Sequence, residues 1–191
     1  MRSSLICLVL LAAFVAPLPP LSAQVIAAPS IDTLPRPTAN PADVRSIDAI
    51  LAALYDVISG PAGQKRDWNR FRSLLVPNAR LMPTGGRPGA AGPSIAVLSA
   101  DDYVRRAGAG LETSGFFERE IHRVTEEYGK AVHAFSTYES RRTADVTEKP
   151  FARGINSIQL LRDTDRWWVV SIFWDSERPG NEIPAKYLPR P

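Results

Sequence analysis

The chain has 191 residues, 45% hydrophobic and 23% charged, with 17 Pro, 12 Gly and a formal net charge of +3. That apolar share is the share of a globular domain and excludes wholesale disorder and collagen-like structure. A single cysteine excludes an internal disulfide framework and a zinc site built on several thiolates, and 23 Lys+Arg against 20 Asp+Glu is too small an excess to call for nucleic acid.

The N-terminus reads as an address. Arg2 precedes an apolar run over residues 5–16; Pro17, Pro19 and Pro20 follow, and then Leu21-Ser22-Ala23. A charged start, a short apolar core and a small-residue site are the three parts of a secretory signal, with cleavage expected after Ala23. The run falls short of the roughly 20 apolar residues of a spanning helix, so no membrane contact is expected after cleavage. Cys7 leaves with this segment. A cysteine-free exported chain fits a bacterial periplasm, or secretion, better than a disulfide-stapled module does. Residues 24–42 carry Pro29, Pro35, Pro37 and Pro41 and read as a disordered tether. One domain is expected over residues 43–191, with an irregular tail from about residue 175 in keeping with its prolines.

Within that domain Val44, Ile47, Ile50, Leu51, Leu54 and Ile58 fall at helical spacing, and Gly60-Pro61 stops the run. Asp67 caps a second, shorter helix with Trp68, Phe71, Leu74 and Leu75 on one side, ended by Pro77-Asn78. Residues 79–82 predict a short strand and residues 85–93 a Gly/Pro surface loop. Ser99 and Asp102 have the spacing of a capping box opening a third helix, with Tyr103, Val104 and Leu111 facing inward. Strands follow at 116–128 and 131–142 across Gly129-Lys130, then at 151–162 and 166–174 across Asp163-Thr164-Asp165. Helices first and a long antiparallel meander after make an α+β fold.

The order helix, helix, short strand, helix, long strands resembles the nuclear transport factor 2-like superfamily, the SnoaL-like or cystatin-like cone. The likeness is carried by LLVPNARLMP, TEEYGKAVHAFSTYESR and RGINSIQLLRDTDRWWVVSIFWDSE. It implies a curved antiparallel sheet packed on three helices around a pocket. It also implies a range of roles, among them ketosteroid isomerase-like and dehydratase-like enzymes, polyketide cyclases and assembly adaptors.

Candidate chemistry is sparse. Glu120 and His122 are two apart on a strand and share a face, which would prepare His122 as a general base; the bland alternative is a solvated polar face that also holds Glu118 and Glu126. His133 shares parity with Phe135 and Thr137 and ranks below it. Asp175, at a strand end, is the second candidate proton acceptor, against a turn-capping role. Trp68, Tyr103, Tyr138, Asn156 and Trp174 are candidate ligand contacts, each weighed against plain core packing. Trp167 and Trp168 must face opposite sides of the sheet, and parity groups Trp168 with Trp174. No metal-ligand spacing, phosphate loop or nucleophile elbow occurs, so no cofactor and no metal are expected. Three functions follow: a module binding a small apolar molecule, a cofactor-independent lyase or isomerase, or a scaffold dimerising through its exposed sheet face.

Overall fold

The computed structural model describes residues 37–84 and 96–190. The expected signal segment, residues 24–36 of the expected tether and the 85–93 loop lie outside them. Among the described residues no helix is long and apolar enough to cross a membrane.

The tether's last residues are not irregular: Asn40 caps a four-residue helix, α1 (Pro41–Val44). The long helix expected from residue 43 is thus two. Ser46 adopts extended geometry and its hydroxyl accepts from the Ala49 N–H, opening α2 (Ile47–Ile58). Arg70 grips Asp43 through Nε at 2.8 Å and Nη2 at 3.0 Å, tying α1 to α3 (Trp68–Leu74), which Asp67 caps as its sequence predicts. The first strand is longer than the four residues expected. β1 (Leu75–Pro83) starts as soon as α3 ends and carries Pro77 at the edge of the sheet, where a missing donor is tolerated. α4 (Ala100–Ser114) opens on the full Ser99–Asp102 capping box.

Four long strands complete the chain: β2 (Phe117–Tyr128), β3 (Ala131–Arg141), β4 (Ala152–Asp163) and β5 (Arg166–Ser176). They pair antiparallel in the order β1-β5-β4-β3-β2, except that β1 runs parallel to β5, so the sheet is mixed rather than wholly antiparallel. The core lies between its inner face and the helices: Ile50, Leu51, Leu54, Phe71, Leu74, Leu81, Val132, Ala134, Ile158 and Val169 are all buried.

Two irregularities decide which side chains face that core. Glu120 pairs with Tyr138 and His122 with Thr137, leaving Ile121 without a partner. Gln159 pairs with Ser171 and Leu160 with Val169, leaving Val170 without one. Each is a bulge, and one extra residue reverses the facing of everything beyond it. Trp168 therefore does not share a face with Trp174. Trp167 joins the core, whereas Trp168 lies on the outer face under the Arg166 guanidinium, 3.4 Å from the ring centre. The tail crosses that outer face: a 3-10 helix (Ala185–Tyr187) sets the Tyr187 ring 4.8 Å from Phe135, and the Tyr187 carbonyl accepts from the Thr137 hydroxyl at 2.6 Å.

Candidate active site

Between α2, α4 and the inner sheet face lies a cavity of about 250 Å³. α2 contributes Leu54, Tyr55 and Ile58; α4 contributes Tyr103, which the capping box places in its first turn. An aromatic wall runs through these elements. Phe71 stacks on Tyr103 at 5.4 Å, Tyr103 meets Trp174 edge-on at 6.4 Å, and Trp68 meets Phe71 edge-on at 5.8 Å from behind. At the rim Phe116 and Phe151 stand 6.2 Å apart, with the Arg142 guanidinium over the Phe151 ring. Arg66 holds this end together: it is 6% exposed and donates to the carbonyls of Ile58, Gly60 and Leu111, bridging the end of α2 to α4. The Gly60 backbone pairs with Phe116 in both directions and fixes the rim.

In this apolar space stands one carboxylic acid among the described residues, Glu118 of β2. It faces inward because it pairs with Ser140, whose hydroxyl donates to Glu118 Oε2 at 2.8 Å. The residue keeps some accessible surface, because it borders both this cavity and a polar groove on the other side of Tyr55. Its carboxyl is nonetheless withdrawn from bulk water, and burial pushes its pKa up to about 7, against smaller opposing effects of hydrogen bonds from Ser140 and Asn156. Three tyrosines surround it. Burial, then the Glu118 charge, drives Tyr55 and Tyr103 well above the ordinary phenol. Tyr138 is raised to about 12, mainly by burial, and its hydroxyl shares a hydrogen bond with Ser176 at 3.1 Å. Tyr103 differs from the other two: its hydroxyl reaches the cavity and makes no hydrogen bond among the described residues. A buried tyrosine hydroxyl normally finds a partner; this one keeps its donor unused among the described residues.

Of the sequence-predicted contacts, Tyr103, Tyr138, Asn156 and Trp174 are brought together in the cavity lining. Trp68 is not; its indole donates to Glu112 at 3.2 Å and its ring packs behind Phe71. Neither predicted proton acceptor reaches the cavity. His122 lies on the outer face opposite Thr137, and the bulge at Ile121 turns Glu120 away from it. Asp175 pairs with Ile155 on the same outer face and is bound by Arg178 at 2.7 Å, which holds its carboxyl below the usual range. His133 is also outside, against Ser157 at 2.9 Å. Glu118, grouped by sequence with the solvated face, is the candidate site residue that sequence reasoning missed. The signal for it is Tyr138 and Ser140 on the partner strand, legible only once the bulge is known.

Among the described residues no group of three His, Cys, Asp or Glu is placed to hold a metal. A larger polar groove outside α2 and β2 is lined by Asp48, Arg119, Arg123 and Arg141. Its charges are engaged in ion pairs: Arg123 with Asp48 and Glu120, Arg119 and Arg141 with Glu139.

No family model matches the chain, and no curated protein does. Solved structures do. A protein of unknown function with a cystatin-like fold from Nostoc punctiforme superposes with a TM-score of 0.52 at 11% identity, over 69% of this chain and 88% of its own. A function-unknown protein from Mycobacterium tuberculosis gives a TM-score of 0.52 at 11% identity, over 73% of this chain and 75% of its own. A nuclear transport factor 2-like protein of unknown function from Silicibacter pomeroyi is 11% identical with a TM-score of 0.47, over 69% of this chain and 92% of its own. At such identities the likeness is one of fold.

Proposed function

On this nuclear transport factor 2-like, cystatin-like cone, we propose that the protein is a cofactor-independent proton-transfer enzyme, an isomerase or lyase, acting on a small and largely apolar carbonyl compound. The observation that carries the reading is the Glu118 carboxyl in an apolar cavity that Tyr103 also lines, its hydroxyl without a partner among the described residues. A base that is half ionised at neutral pH both removes and returns protons efficiently. Glu118 takes the proton from the carbon next to the carbonyl. The C–H electron pair moves into the carbon framework, and the negative charge settles on the carbonyl oxygen, where Tyr103 donates its O–H. The Glu118 carboxylic acid then returns the proton to a different carbon, which isomerises the substrate, or to a departing hydroxyl, which leaves as water.

The cavity sets the substrate's size and charge. At about 250 Å³ it is smaller than the roughly 300–1,000 Å³ of drug-sized sites. Among the described residues its lining holds a carboxyl and no cationic side chain, which disfavours an anionic substrate. A module that merely bound an apolar molecule would gain nothing from this acid, because burying a carboxyl opposes its ionisation and burdens the fold. The reading keeps the secretory signal of residues 1–23, so the enzyme acts outside the cytoplasm; cell fractionation tests that part.

The chemistry is tested with small cyclic and aryl ketones in D2O, following loss of the α-proton signals by NMR. The protein is expected to accelerate exchange, and Glu118→Gln to lower that rate by about 10²–10⁴-fold. Equal exchange in both proteins across the ketone series overturns the reading.

A further inference from the structure

A directed chain of hydrogen bonds crosses the helix–sheet interface from Asn156, which lines the cavity with Glu118, to a second carboxylate, Glu120. Asn156 Nδ2 donates to the Tyr55 hydroxyl oxygen at 3.1 Å. The Tyr55 and Ser136 hydroxyls meet at 2.7 Å, and Ser136 in turn donates to Glu120 Oε2. Glu120 is anchored by Arg123, 3.3 Å from its other oxygen, and Arg123 is held by Asp48. Tyr55, Ser136 and Asn156 are all buried, so water does not substitute freely for any of these bonds.

The direction of the chain is fixed by proton count. Ser136 has one hydroxyl proton and gives it to a carboxylate, which when ionised only accepts. Tyr55 must therefore be the donor to Ser136, and its own oxygen is left to accept from Asn156. An Asn156 amide turned the other way would set its carbonyl oxygen against a phenol oxygen whose proton is already committed. The NH2 group is thus held on the Tyr55 side, in the lining of the cavity that Glu118 also forms, and the Asn156 amide opposes the rise in the Glu118 pKa.

We propose that Tyr55, Ser136 and Glu120 are positioning residues that lock the Asn156 amide with its NH2 toward Glu118, so that the base is presented to substrate in its ionised form. This rests on the proton-transfer reading above. An N–H donor stabilises the carboxylate and offers nothing to the acid's O–H, whereas a free amide would swing its carbonyl oxygen round to accept from the protonated form. The other groups facing Glu118 are Ser140 and Tyr138 from β3, Tyr103 from α4 and Glu120 along its own strand. Of these polar groups only Ser140, besides Asn156, supplies it a hydrogen bond.

The test is the titration of Glu118 in the full folded protein, with glutamate carboxyls labelled with carbon-13 and the Glu118 resonance assigned by its absence in Glu118→Gln. Tyr55→Phe and Ser136→Ala are each expected to raise the Glu118 midpoint by about one pH unit, a tenfold change in ionisation. Ser136→Thr, which keeps the hydroxyl, restores the original midpoint. In ketone exchange the acid limb of the pH–rate profile moves up in parallel. Ser136→Ala removes a single small atom and keeps the test available if Tyr55→Phe does not fold. A midpoint unmoved in the folded variants overturns the proposal. Such a result leaves the proton-transfer reading standing, which fails instead if the unaltered protein shows no Glu118-dependent exchange.

Discussion

Replacing Glu118 by Gln is predicted to stabilise the fold at alkaline pH while removing its chemistry. The carboxyl titrates at about 7 in the folded chain against 4.5 for an ordinary Glu. Between those values the folded chain holds a proton that the unfolded chain has released. The carboxyl's contribution to stability is therefore full below about pH 4.5, falls as pH rises to about 7, and is constant above that. Two and a half pH units at about 1.4 kcal/mol each make a deficit of about 3 kcal/mol at pH 8. Gln keeps the shape and accepts the Ser140 hydrogen bond but carries no charge, so it escapes most of that deficit. In a domain of this size about 1 kcal/mol moves the midpoint by about 2–4 °C, and Glu118→Gln should melt roughly 5–10 °C above the unaltered protein at pH 8. Thermal melts followed by circular dichroism at both pH values provide the comparison. A difference in Tm that is the same at about pH 4.5 and about pH 8 would refute the reasoning, since only ionisation of a buried carboxyl makes it depend on pH.

Tyr103→Phe removes a hydroxyl that has no hydrogen-bond partner among the described residues, so Tm should change little while ketone exchange falls by about 10²–10³-fold; a large fall in Tm would mean the hydroxyl is structural. Phe71→Ala, at a residue 1% exposed beneath the Tyr103 ring, should cost about 3–5 kcal/mol in denaturant titration. Gly154→Ala would place a methyl 2.5 Å from the Tyr138 hydroxyl and against the Asp175 carbonyl. It should destabilise the fold by about 1–3 kcal/mol through overpacking and weaken exchange as Tyr138 leaves Ser176. His122→Ala, on the outer face, should leave the exchange rate and its pH profile as they were; a lost limb near neutral pH would return His122 to the mechanism.

Local signals were legible wherever a short-range rule decides structure. Asp67 and the Ser99–Asp102 box cap their helices, and Gly129-Lys130 turns its hairpin, because each depends on a few neighbouring backbone groups. Four of the five predicted ligand contacts reach the cavity for a similar reason: Tyr138, Asn156, Trp174 and Tyr103 are large or polar groups on otherwise apolar faces. What the sequence left hidden depends on pairs far apart in the chain. Tyr55 meets Ser136 across 81 positions and Asn156 across 101, and no local spacing announces either contact.

The two carboxylates and the histidine of EREIHR show how a single residue redistributes a site. Counted straight back from the Gly129-Lys130 turn, where Tyr128 faces Ala131 and Glu126 faces His133, the strand sets His122 opposite Thr137, as observed. Continued without interruption, the same count would set Glu118 against Arg141 and Glu120 against Glu139, both on the outer face with His122. The unpaired Ile121 shifts the pairing by one, so Glu118 meets Ser140 and Glu120 meets Tyr138. Both carboxylates thereby enter the inner face, one as the acid of the cavity and the other as the anchor of the Tyr55–Ser136 chain. Alternation alone would have kept the three ionisable groups together in solvent. The bulge separates them, and that separation is what gives an apolar cavity its carboxyl.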